Sequence, residues 1–183
     1  MSAFSDRKHI GDLIDIKALS KSLSWTAGSA QDNVPLVGNV IDRLGFPTGS
    51  LPQTLDVGVL LDATLAAGAT LSVAFDVQDS ADGVNFADYA TVPSAPYLTG
   101  PTGGGHIQGV ARLTLVNADN PNIPGQGFNL PGNLASPSIQ LDSARRFIRL
   151  TVTPHLSSAT TDTAVIFPSG VFAGFDTLEA PVG

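Results

Sequence analysis

The chain has 183 residues, 43% hydrophobic and 14% charged, with 19 glycines, 13 prolines and no cysteine. Without a thiol, disulfides, thiolate metal sites and a cysteine nucleophile are excluded together, and no apolar run approaches the roughly 20 residues of a membrane-spanning helix. The formal charge of -7 is uneven: residues 1–21 hold all three lysines and Arg7 against Asp6, Asp12 and Asp15, whereas the remainder sets five arginines against thirteen carboxylates, an acidic body that argues against direct nucleic-acid binding.

In chain order, residues 1–21 read as an N-terminal arm whose Arg7, Lys8, Lys17 and Lys21 would dock on an acidic neighbouring subunit, the alternative being an ordinary solvated lead-in. The start has no apolar core of the kind a secretory signal carries, so a soluble, unsecreted product is expected. Residues 5–19 are the one stretch with partly helical spacing. The remainder, 22–183, is expected to form one domain of short strands and many turns.

Leu55, Val57, Val59 and Leu61 alternate with smaller or polar neighbours, and Leu71, Val73, Phe75 and Val77 repeat the pattern over 70–78. Period two puts each set on one face of a strand. LAAGA at 65–69 connects the two, and DSADG at 79–83 signals a hairpin that returns the chain over 84–89. Further strands are expected at 109–116, 138–141, 147–153 and 163–175, the last broken at 168–170. Two long loop excursions, 91–108 and 117–137, fall within a stretch that holds seven of the prolines, and Ile123, Phe128 and Leu130 in the second are apolar residues suited to subunit contact. The fold class that follows is all-β: an antiparallel β-sandwich, jelly-roll-like, as a single domain with an N-terminal arm and long Pro/Gly-rich loops.

Catalytic and ligand-binding constellations are sparse. GGGH at 103–106 lacks the lysine and the following helix of a phosphate cradle and reads as a flexible loop. Asp79, Asp82 and Asn85 have spacing compatible with calcium but lack the rest of a ligand series, so turn chemistry is the better reading. His9, His106 and His155 show no zinc spacing, no GxSxG elbow occurs, and Glu179 is the one glutamate. No catalytic residue, metal or cofactor is assigned, and a non-enzyme is expected. Trp25 reads as a packing anchor, and the arginines of RRFIR (145–149) as surface pairing or, alternatively, subunit salt bridges.

The residues DNVPLVGNVIDR (32–43), ATLAAGATLSVAFDVQDSADGVNFADY (63–89) and ARRFIRLTVTP (144–154) together resemble jelly-roll decoration or cement proteins encoded among the head genes of tailed phages and prophages. That resemblance implies a virion protein on the outer capsid surface, made in the host cytoplasm, binding the major capsid protein at symmetry axes or capsomer junctions as a homo-oligomer, a trimer favoured. It carries over no site residue and implies no cofactor and no membrane partner. QDSADGVNF is also similar to the SxDGxxW hairpin of discoidin-like carbohydrate-binding jelly rolls, with Phe86 where that pattern has tryptophan. A tail or baseplate component is a third reading, because fold does not fix function.

Overall fold

The computed structural model describes residues 14–46, 51–112, 128–130, 134–136, 139–158 and 161–173. In chain order these form β1 (Ile14–Ala18), β2 (Leu23–Thr26), β3 (Leu36–Val37), β4 (Ile41–Asp42), a 3-10 turn (Arg43–Gly45), β5 (Thr54–Leu65), β6 (Thr70–Ser80), β7 (Ala87–Thr99), β8 (Gly105–Arg112), β9 (Phe128–Leu130), β10 (Leu134–Ser136), β11 (Ile139–Gln140), β12 (Phe147–Leu156) and β13 (Thr163–Ala173).

Two antiparallel sheets result. In the first, β13 and β5 lie side by side at the centre; β2 and β1 share the far edge of β13, and β8 and β11 share the far edge of β5. In the second, β12 and β6 are central, with β3 and β4 along one edge and β7 along the other. With β1/β2 and β3/β4 each counted as one broken strand, and β11 and the β9–β10 pair set aside, the first sheet orders the eight units 1-8-3-6 and the second 2-7-4-5. That order is a jelly roll, the architecture the strand pattern predicts.

The core lies between the sheets and is built by alternation. Leu55, Val57, Val59, Leu61, Ala63 and Leu65 of β5 face Leu71, Val73, Phe75 and Val77 of β6, with Ile148, Leu150 and Val152 of β12 and Ile166 and Phe172 of β13 completing the layer, all essentially without solvent access. Each large aliphatic side chain buried in this way contributes about 1.5–3 kcal/mol against chain entropy. Phe46 closes one rim, its ring 5.0 Å from that of Phe172, and Phe75 meets Tyr97 edge-on at 5.9 Å.

Several expectations are corrected. Residues 14–18, within the expected arm and the partly helical 5–19, are strand β1, held by five residue pairs to β13. The first excursion, 91–108, is mostly strand: β7 continues to Thr99 and β8 begins at Gly105. An edge strand paired on one side only tolerates Pro93 and Pro96, and β7 takes up the misfit through three register shifts against β6. The second excursion, 117–137, contains the short pair β9–β10. No break occurs at 168–170, because Pro168 sits where the neighbour of β13 changes from β2 to β1; Leu19 N–H donates to its carbonyl at 3.2 Å, so the missing proline N–H falls at the gap between those two strands.

Polar side chains fasten the turns. Asp82 accepts from the backbone N–H groups of Val84 and Asn85, from Asn85 Nδ2 and from Ser80 Oγ. These donors, the Asn85 N–H foremost, hold its carboxyl far below the usual range. Gly83 supplies the φ of +75° that the hairpin needs. Arg43 is buried and donates to the carbonyls of Ala144, Arg145 and Pro52, joining three loops; burial pulls its pKa down, while Tyr89, Asp142 and Asp79 pull it up. Replacement of Arg43 by alanine leaves those carbonyls without their donor and is expected to lower the free energy of unfolding by about 3 kcal/mol, read from the urea midpoint.

Asp32 ties the turn after β2 to the end of β12 by accepting from the N–H groups of Gly28 and Leu156, both at 3.0 Å, with His155 Nδ1 at 3.6 Å. Partial burial opposes its charge, but the two N–H donors and His155 outweigh it and hold its pKa below the ordinary value. A carboxyl whose folded pKa is depressed stabilises fully above its unfolded pKa and loses that contribution as pH falls through the folded value. The Asp32→Asn variant should therefore be less stable at neutral pH and show a smaller loss of melting temperature between about pH 6 and pH 3; an equal loss in both proteins would remove Asp32 from the acid response.

Candidate interaction surface

Strict alternation leaves no apolar residue on the outer face of a sheet, so doubled apolar residues within a strand mark a departure. Leu60–Leu61 in β5 and Ile166–Phe167 in β13 are two such doublets. Leu61 and Ile166 turn into the core, and Leu60 and Phe167 therefore face outward. Register brings them together: Phe167 lies opposite Leu60, and Leu60 opposite Val110 of β8. The result is a row of three apolar side chains across β13, β5 and β8, exposed by 47%, 55% and 59%. It lines a shallow groove of about 420 Å³ whose polar border is Asp62 and Gln108.

That border is closed on itself. Asp62 accepts from Gln108 Nε2 on one oxygen and meets His106 Nε2 at 2.9 Å with the other. Hydrogen bonds from Gln108 and then His106 lower the Asp62 pKa, and both carboxylate oxygens are engaged.

The other notable edge is β1, whose faces are inverted relative to a simple core strand. Ile14 and Ile16 share the outer face with Val171, and Ile16 is 63% exposed. Asp15 and Lys17 turn instead towards the rim of the sandwich. Lys17 Nζ lies 2.9 Å from Asp15 and 5.2 Å from the centre of the Phe46 ring, so this predicted contact residue already has partners within its own chain. Lys21 is exposed in the connection between β1 and β2. Phe128 and Leu130 lie in β9, opposite Ser136 and Leu134; Arg7, Lys8 and Ile123 lie outside the described residues.

The alternative chemistries meet occupied groups. Arg149 covers the ring of Phe86 at 4.0 Å and donates to Gln78 at 2.7 Å, so the aromatic residue of the lectin-like hairpin is capped. Asp79 accepts from Arg145, and Asp42 takes two bonds from Arg146; with Arg149 on Gln78, each arginine of the RRFIR run has a partner within the chain. Among the described residues no three acidic or histidine side chains are grouped to hold a metal. The glycines at 103–105 join two strands rather than a strand and a helix.

The arrangement is that of a jelly-roll domain whose candidate site is an apolar outer sheet face. No known protein family matches the chain, and no curated protein does. Among solved structures, the chain is similar to the VP2 subviral particle of infectious bursal disease virus, with 12% identity and a TM-score of 0.41, covering 92% of this chain and 34% of that one. It is also similar to the Gx strain of that virus (10% identity, TM-score 0.41, 91% and 32% covered) and to T=1 particles derived from it (13%, 0.39, 88% and 31%). The chain spans about a third of the length of these chains.

Outward and inward phenylalanines on one strand separate surface from core. Phe172→Ala should cost about 3–5 kcal/mol of unfolding free energy, and Phe167→Ala less than about 1 kcal/mol; denaturant titration of the two variants checks the assignment.

Proposed function

We propose that the chain is a structural component of a phage particle that decorates and stabilises the capsid by binding major capsid protein subunits. The observation that carries this reading is the inverted strand β1. Its exposed Ile16 stands at one edge of the first sheet, five positions in the chain before exposed Lys21 and after the segment that contains Arg7 and Lys8. An exposed apolar residue on a sheet edge whose flanking sequence carries Arg7, Lys8 and Lys21, in an otherwise acidic chain, fits a broad protein surface carrying carboxylates better than a small ligand. The resemblance of residues 32–43, 63–89 and 144–154 to capsid decoration proteins supplies the identity of that surface. In this reading the domain works mechanically, many weak contacts around the particle adding to firm attachment.

Cosedimentation with capsids that lack this protein tests it. The native chain should bind at fixed stoichiometry, and Ile16→Glu or removal of residues 1–13 should weaken binding by about tenfold or more at unchanged melting temperature. Unchanged occupancy in both variants contradicts the proposed contact, and saturable binding to a glycan array without capsid binding would favour a carbohydrate-binding module.

A further inference from the structure

Four strand edges bound the two sheets, and three of them are interrupted. β1 and β2 are five and four residues long, and β3 and β4 are two residues each. β7 is long but carries Pro93, Pro96 and three register shifts. Short strands, prolines and bulges are the devices that keep an edge from recruiting another strand. The fourth edge has none of them along β8. That strand pairs with β5 through eight consecutive residue pairs, from Gly58↔Arg112 to Leu65↔Gly105, without a shift or a proline. No described strand pairs with its far side.

The same strand is held firmly from within. Leu98 of β7 occupies the place a side chain at position 109 would fill, its Cδ2 standing 2.7 Å from where a Cβ would lie, so the glycine lets the facing sheet press against β8. The row Phe167–Leu60–Val110 runs across the strands and ends at this edge, leaving Val110 exposed.

We infer that β8 pairs with β8 of a second copy of this chain, antiparallel about a twofold axis, so that the first sheet continues from one copy into the next and Val110 is covered. Charge selects this occupant. Two acidic bodies repel at most approaches, but Ile107, Gln108, Gly109 and Val110 are uncharged, and Asp62, one strand inward, already has both oxygens engaged. A basic strand would find no free carboxylate among these groups, whereas an identical strand meets no like charge over that stretch. Strand addition supplies the backbone hydrogen bonds that no described strand provides on that side, and an isologous contact closes after two copies. The inference stands apart from the capsid-binding reading, since β1 and β8 occupy opposite edges of one sheet.

Sedimentation velocity of the full chain over a concentration series tests it, with Val110→Lys and Ile16→Glu compared. The expected result is a reversible dimer whose dissociation constant rises about tenfold or more in Val110→Lys, with unchanged melting temperature and capsid binding, while Ile16→Glu dimerises like the native chain. A monomer at every concentration overturns the inference, as does a trimer, or a dimer indifferent to Val110→Lys. Loss of capsid binding in Val110→Lys with self-association intact would assign the edge to a capsid subunit and overturn it equally.

Discussion

The structure depends on one layer of side chains, taken from every second residue of β5, β6, β12 and β13, held dry between two sheets. Those four strands are central in their sheets, and their inward residues are essentially inaccessible to solvent. Because the side-chain period of a strand is two, burying one set of residues fixes where every other residue of the same strand must point. The outward positions of Leu60 and Phe167 are therefore consequences of burying Leu61 and Ile166. The fold creates its apolar outer surface as a by-product of register, and the chain leaves large apolar residues at positions where polar ones would fit.

The polar groups fall into place around the same constraint. Asp82, Asp32 and Arg43 each satisfy backbone groups where the chain leaves a strand and the ladder can no longer do so. Their charges are spent locally, as are those of Arg145, Arg146 and Lys17. Among the described residues, these groups leave little free charge at the turns, and the apolar row and strand edges stand out as contact surfaces.

Legibility in the sequence followed how directly each residue reports its own environment. β6 and β12, both central, show their alternation openly, and the DSADG turn announces itself through residues that bond to their own neighbours. β7 was obscured by prolines that an edge strand tolerates, and β13 by a proline placed where two neighbouring strands leave a gap. β1 looks like arm or helix in sequence because it is five residues long and its apolar residues face away from the core. The interaction surface was harder, since Leu60, Val110 and Phe167 are far apart in the chain and only register unites them. The doublets Leu60–Leu61 and Ile166–Phe167 were the available signal for two of the three. Charge in the sequence points to Lys17 as a contact residue, but its position in the strand commits it to Asp15 and Phe46.

The proposed contacts lie at the edges and outer face of the first sheet, away from the β6–β7 hairpin. Hydrogen–deuterium exchange of the chain, free and then bound at full occupancy to capsids, tests that placement most directly. Slower exchange of backbone amides in β1 on binding, with the amides of β8 and of 81–86 unchanged, is the result expected. Slowing confined to 81–86 or to β8, with β1 exchanging as in the free chain, would contradict it.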